Sequence, residues 1–360
     1  MSENPYNILS INPGSTSTKI AVYANEHELF QKTVTHDGQA LSRYKSMVEQ
    51  LEMRTQAIMA CLGEADFPLA TLSAVAGRGG KLPPLVRGAY RVTQPMVDFL
   101  SYRPIDDHAS NLGAIIAYSI AEPLHIPSFI YDAVVVDEME DVARLTGMPE
   151  FTRKASCHVL NMRAVSLKTA RKMGKSLDDL NVIVCHMGGG ITATVISGGR
   201  MVDVLTDEEG PYSPERVGRV PCRQLVDLCF SGTHDRKSAT KRMRGSGGLM
   251  AYLGTNNARE VEARAAQGDK YALLIYQGMA YQVAKGIGEL ATVVRGDVDM
   301  IILTGAIAHS QLFTGWVIDR VKFIAPVMVV PGENELEALA LGTLRVLRGE
   351  EQAREFVAPT

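Results

Sequence analysis

One local pattern is written twice in this chain, and the repetition constrains the fold more than any other feature. Ile8 to Ile11 is a short apolar run suited to a buried strand, and Asn12, Pro13 and Gly14 then break it as a tight turn. Ser15, Thr16, Ser17, Thr18 and Lys19 follow, and a second strand runs from Ile20 to Tyr23. The pattern returns at Val182–Cys185, with His186-Met187-Gly188-Gly189-Gly190, the threonine-alternating run Ile191–Ile196, a turn at Ser197–Gly199 and a third strand from Met201 to Leu205. A repeated unit of strand, polar glycine turn and strand implies two related halves. Backbone N–H groups and small hydroxyls in such turns can form an anion-binding concavity. For the first stretch alone, an ordinary hairpin with a polar turn is an equal account. Two such turns converging on one cleft would suit a substrate carrying several phosphates. The first turn is not a Walker A loop, which needs two glycines before Lys-Ser/Thr and opens into a helix, whereas Lys19 is followed by Ile20 and strand residues.

The length of 360 residues fits about two domains. A hydrophobic share of 46% is ample for a core, and the net charge of −3 does not suggest nucleic acid or an anionic membrane surface as a partner. Five cysteines, none in a C-x-x-C pair, fit reduced thiols in a cytoplasm rather than a disulfide framework. The N-terminus has neither the basic nor the apolar region of a signal peptide, and no apolar run approaches membrane-spanning length.

Between the repeats, Arg43–Leu62 has helical periodicity, and Leu72–Ala76 is a strand running into Gly77-Arg78-Gly79-Gly80. The flanking glycines allow Arg78 to be presented to an anionic ligand. Asp106 and Asp107 precede a helix from Gly113 to Ala121, where capping and dipole complementation account for them better than catalysis. Ser128–Val136 is a strand interrupted by Asp132, a carboxylate that is costly to bury unless paired or metal-bound. A composition shift near Arg153-Lys154 marks two domains, 1–153 and 154–347, with 348–360 as a tail packing back on the first.

In the second half, a helix from Cys157 to Met173 opens close to His158. Arg219, beside Gly218 and just before a helix from Gln224 to Phe230, parallels Arg78 as an anion ligand. The basic run 236–244 is a solvated helix face. Tyr271–Val294 is a long helix, and the strand Met300–Leu303 ends in Thr304-Gly305-Ala306, where a ligand could sit at the following helix N-terminus. Val327–Val330 is the last strand, and Pro331 to Glu335 cap a final helix reaching Leu347.

Together these segments resemble the butyrate kinases, in the acetate kinase branch of the actin, hexokinase and Hsp70-like ATPases. The resemblance rests on Ile11–Lys19, Gly77–Gly80, His108-Ala109-Ser110-Asn111-Leu112-Gly113, Val134–Met139, His186–Gly190, and Glu209-Gly210-Pro211 followed by Ser213-Pro214-Glu215-Arg216. It extends in order from about Ile8 to Leu347. It implies an α/β fold of two duplicated ribonuclease-H-like (actin-like ATPase) domains with a cleft between them. It further implies transfer of the ATP γ-phosphoryl group to a short-chain carboxylate, reversibly, with Mg2+, in a cytoplasmic homodimer or larger oligomer. The named acceptor is butyrate; isobutyrate and propionate are alternatives.

By the same resemblance Asn12 and the turn Gly14, Ser15, Thr16 and Ser17 face the transferred phosphate. His186 bonds the γ-phosphoryl oxygens, and Gly188, Gly189 and Gly190 let backbone N–H groups approach. Arg219 steadies the transition state, Asp132 lies near the nucleophile and metal, and His158 is a second active-site histidine. Glu335 and Asn12 are the metal-associated residues, and Gly305-Ala306 is the adenosine-side turn. The chain departs from the acetate kinases at Val75, where they carry the first-half arginine, so that Arg78 is the nearest candidate. A phosphohydrolase of the same superfamily would need a carboxylate base for water, and a nucleotide sensor would lack the acyl-binding arginine.

Overall fold

The computed structural model describes residues 5–358. They form two compact units, one comprising the chain up to Asp137 together with everything from Asn334 onward, the other Glu138–Glu333.

The first unit holds strands β1 (Asn7–Pro13), β2 (Ser17–Ala24), β3 (His27–Thr35), β4 (Leu72–Gly77), β5 (Ala89–Arg91) and β6 (Ser128–Tyr131). The sheet order is Arg354–Glu355 of the tail, then β5, β6, β4, β1, β2 and β3. β1, β2 and β3 are an antiparallel meander, while β4 and β6 run parallel beside β1. β1 is central and covered on both faces, hence its unbroken apolar opening. Leu9 and Ile11 pack with Ile58 and Leu62 of the helix Leu51–Glu64 and with Leu112 and Ile116 of the helix Asn111–Ala121. Strand alternation sends Ile8, Ser10 and Asn12 to the opposite face, where the helix Glu335–Leu347 packs.

The second unit repeats this plan with β7 (Val182–Met187), β8 (Ile191–Ser197), β9 (Arg200–Leu205), β10 (Met300–Gly305) and β11 (Val327–Pro331), ordered β11, β10, β7, β8, β9. β7, β8 and β9 are again the antiparallel meander, and β10 and β11 lie parallel to β7. The core of β3-β2-β1-β4-β6 therefore matches β9-β8-β7-β10-β11 strand for strand in order and direction. Ile183, Cys185 and Met187 pack with the helix Lys270–Val293 and with Phe313 and Val317 of the helix Gln311–Val321. Val182, Val184 and His186 turn to the other face, which the helix Val159–Lys172 covers.

Several boundaries differ from the sequence expectation. The helix expected from Arg43 begins at Leu51, behind a 3-10 turn at Val48–Gln50. The strand from Ser128 stops at Tyr131 because Asp132 adopts φ +42°, a left-handed conformation that ends an extended run. Asp106 and Asp107 do not cap the following helix; Asp107 instead accepts the Met47 N–H at 3.0 Å. The units divide at Asp137/Glu138, not at Arg153/Lys154. Residues 138–153 are tied to β9, through Glu140 N to Val202 O at 3.0 Å and Arg153 to Asp203 at 3.0 Å. The final helix, placed by sequence with the second half, belongs to the first unit. The tail adds its short strand to β5, and Phe356 is buried edge-on to Phe99, with ring centroids 5.5 Å apart. Among the described residues, no helix is long and apolar enough to cross a membrane.

Candidate active site

In the first unit the polar group is built on the penultimate residue of β1. Asn12 is 9% exposed and donates its amide Nδ2–H to the Glu335 carboxylate. Arg78 follows β4 directly, its N–H bonded to Ile11 O at 2.9 Å, so it emerges beside the same strand end. Its Nη1 donates to Glu335 Oε2 at 2.5 Å and to Asn12 Oδ1 at 3.4 Å. Only glycine can precede it, since a Cβ at Gly77 would strike the backbone of Gly113. Asn12, Arg78 and Glu335 are thus brought together.

Glu335 opens its helix, where the helix dipole favours a carboxylate. Its Oε2 takes both bonds, leaving Oε1 to a ligand. Among the described residues, no group of three or more His, Cys, Asp or Glu side chains could hold a metal unaided. One available carboxylate oxygen suits Mg2+, which is commonly held by one or two carboxylates and by substrate phosphates.

The turn after Asn12 is closed by Gly14 N to Ser17 O at 2.7 Å, and Thr16 O accepts the His36 N–H at 2.9 Å. Among the described residues, no acceptor meets the N–H groups of Ser15 and Thr16. Asp132, 2% exposed, accepts the Gly88 N–H at 2.8 Å and returns its own N–H to Gly88 O at 3.2 Å. It pins the loop ahead of β5.

In the second unit, His186 is again the penultimate residue of its strand and only 1% exposed. Its Nδ1 lies 2.9 Å from Asn161 Oδ1, which also accepts from Thr304 Oγ1 at 3.3 Å, while Asn161 Nδ2 faces Gly332 O at 3.4 Å. With the amide oxygen turned to His186, Nδ1 carries a hydrogen. The other nitrogen, Nε2, makes no well-formed hydrogen bond and sits 3.3 Å from Glu333 Oε1. Only as the imidazolium can His186 offer an N–H from Nε2 as well. His158 stacks on it with ring centroids 3.9 Å apart and 12° between planes, and bonds Thr192 Oγ1 through Nδ1 at 2.9 Å.

The glycine turn after His186 differs in detail from expectation. Gly188 N–H is taken by Gly190 O at 2.9 Å, so among the described residues the N–H groups left without an acceptor are those of Gly189 and Gly190. Gly189 O accepts Ser213 Oγ at 2.8 Å, which fixes the turn from outside. A Cβ at Gly190 would lie 2.5 Å from Arg216 Nη1. Arg216 therefore lies against the turn, paired with the buried Asp207. Arg219, by contrast, is half exposed, with Nη2 on Glu289 at 2.8 Å and Nε on Glu209 O at 2.9 Å.

A cavity of about 490 Å³ opens beside the turn, within the size range of small-ligand pockets. It is lined by Gly188, Gly189, Asn256, Asn257, Glu262 and Tyr276, and by Ala306, Ile307, His309 and Ser310. Gly305 itself is packed against the Met187 backbone at φ +90° and stays out of the cavity.

Asn161, Arg216 and Glu333 were not singled out from sequence as site residues. Arg216 had a signal, since it closes a quoted motif opposite a glycine turn. Asn161 had none, lying in the first turn of an ordinary helix.

The family model described as the acetokinase family matches residues 130–328. The chain is 47% identical to butyrate kinase 2 of Clostridium acetobutylicum over 353 residues, covering 98% of this chain and 99% of that protein. It is also 47% identical to a probable butyrate kinase 2 of Caldanaerobacter subterraneus, again over 98% and 99% of the two chains. Among solved structures it superposes on an acetate kinase of Porphyromonas gingivalis at 18% identity, with TM-score 0.78 over 95% of this chain and 100% of that one. A propionate kinase of Francisella tularensis gives TM-score 0.72 at 18% identity over 93% and 98%.

Proposed function

The chain belongs to the acetokinase family, and on that premise we propose that it transfers the γ-phosphoryl group of ATP to butyrate, giving butyryl phosphate and ADP, and catalyses the reverse. One observation carries this reading. The two sheets present a polar side chain at the same penultimate position of the same strand, Asn12 and His186, each followed by a turn with unengaged N–H groups. Each such strand end suits a phosphate group that must be aligned and neutralised, which is where phosphoryl-transfer catalysis mostly resides.

The acceptor carboxylate is already ionised at neutral pH, so no general base is required. Asn12 and the Gly14–Ser17 turn bind the transferred group. His186, charged, donates Nε2–H to a γ-phosphoryl oxygen once Glu333 gives way, while Gly189 and Gly190 donate backbone N–H. The cavity beside Ala306 takes the nucleoside. Arg216, lying against Gly190, is better placed than Arg219 to neutralise charge developing on the transferring group. Arg78 steadies the carboxylate end and Asp132 holds the loop near it. Glu335, with Asn12, would hold Mg2+, whose contribution is to offset phosphate charge. His158 supports His186 by stacking.

Five cysteines without a C-x-x-C pair support a reducing, cytoplasmic setting. We further assign the working form to a homodimer or larger oligomer, without nucleic acid or membrane as partner.

The test is trapping of acyl phosphate as hydroxamate from ATP, magnesium and a carboxylate series. Hydroxamate that depends on butyrate supports the proposal. Phosphate release independent of any carboxylate sinks it, and faster turnover of isobutyrate or propionate reassigns the acceptor.

A further inference from the structure

The helix Leu51–Glu64 carries a charge that phosphoryl transfer as described does not use. Arg54 is 0% exposed, and burial alone pulls its guanidinium below the usual range, with no carboxylate acting on it. A buried charge without a counter-ion is costly unless its hydrogen-bonding capacity is fully used.

Here it is. Nε and Nη2 donate to Gln50 Oε1 at 3.0 and 2.9 Å, one turn earlier on the same helical stretch. The remaining bonds all reach the end of the β1–β2 connection: Nη2 to Ser15 O at 3.0 Å, and Nη1 to Gly14 O at 2.9 Å, Thr18 Oγ1 at 3.0 Å and Ser17 O at 3.3 Å. One planar fork thus gathers three main-chain carbonyls of a single turn.

The consequence follows from peptide geometry. In a trans peptide the C=O of one residue and the N–H of the next point in opposite directions. Drawing the Gly14 and Ser15 carbonyls inward to Arg54 turns the N–H groups of Ser15 and Thr16 outward. Those are the two N–H groups that meet no acceptor among the described residues. Adjacent, outward-facing amides in a fixed turn are an anion nest.

We propose that Arg54 is a positioning residue that holds the β1–β2 turn as a preorganised phosphate nest, presenting the Ser15 and Thr16 N–H groups to the transferred phosphoryl group. The proposal rests on the kinase reading for the identity of the anion. Lysine cannot substitute, because a single ammonium lacks the planar fork that spans carbonyls on both sides of the turn.

The test uses the full-length enzyme with Arg54→Met, which fills the space without charge, and Arg54→Lys. Each is expected to lower kcat about tenfold to a hundredfold, somewhat below the loss of a direct transition-state donor. The KM for ATP should change far less, since the nucleoside cavity lies in the other unit. Amide resonances of Ser15 and Thr16 should shift when the non-hydrolysable imido analogue of ATP and magnesium are added to wild type, and should not shift in Arg54→Met. Guanidinium at millimolar concentration should restore part of the turnover of Arg54→Ala, and ammonium at equal ionic strength should not. The proposal is overturned by a folded Arg54→Met enzyme with wild-type kcat, or by Ser15 and Thr16 amides that ignore the nucleotide in wild type. A wild-type protein that forms no hydroxamate would defeat the kinase reading instead, and the amide shifts would still decide the role of Arg54.

Discussion

Replacing Asn161 by alanine separates what His186 does from its mere presence in the strand. The change removes the acceptor at 2.9 Å from His186 Nδ1 and one of the two acceptors of the fully buried Thr304 hydroxyl, the other being Gly332 O at 3.4 Å. His186 is 1% exposed, so water cannot replace the lost acceptor without repacking. A buried donor left unsatisfied costs about 1–3 kcal/mol. Placed wholly on the state in which the imidazolium donates to the phosphoryl group, that cost lowers kcat by about 5- to 150-fold, at about 1.36 kcal/mol per factor of ten. The KM for the carboxylate should hold, because the Asn161 amide is engaged by His186, Thr304 and Gly332. Asn161→Asp is the informative partner. It keeps an acceptor for Nδ1, so its kcat should lie nearer wild type than that of Asn161→Ala. Steady-state ADP release, with circular dichroism to verify folding, measures both. A folded Asn161→Ala enzyme within about twofold of wild-type kcat would show that the His186–Asn161 bond contributes nothing to the transition state.

Three further outcomes are expected. Arg216→Ala should lower turnover by about 10²- to 10³-fold, the scale of losing one preorganised donor, while Arg219→Ala, whose partner is the exposed Glu289, should stay close to wild type; the reverse ranking would return the role to Arg219. Burial, and then the charge of Arg54, lower the pKa of His36 from its ordinary 6.5. Below that value the unfolded chain binds a proton the folded chain resists, so stability falls as pH drops from about 6.5. Urea midpoints compared at neutral and mildly acidic pH should show a shallower acid loss in His36→Gln than in wild type. Phe356→Ala, which empties a buried site against Phe99, should cost about 3–5 kcal/mol, and an unchanged denaturation midpoint would mean that the tail does not stabilise its unit.

Much of the fold was legible because its signals are local. Alternation, glycine turns and their repetition mark β1–β2 and β7–β8 without knowledge of any distant residue, and with them the positions of Asn12 and His186. Helix edges were less legible, and the helix expected from Arg43 begins eight residues later, at Leu51. The strand after Ser128 was read too long because an aspartate in a left-handed conformation looks, in sequence, like any buried polar interruption.

The sequence alone therefore determined that two related sheets would each offer a polar residue and a glycine turn at one strand end. It could not determine what those residues touch. Asn12 meets Glu335 across 323 positions, His186 meets Asn161 across 25, and the choice between Arg216 and Arg219 turns on which one folds back against Gly190. The final helix returns to the first unit, and Arg54 gathers the carbonyls of a turn some forty residues earlier. Each of these is a contact fixed by chain crossing and burial. Local periodicity carries no record of such contacts, so only the tertiary structure could decide them.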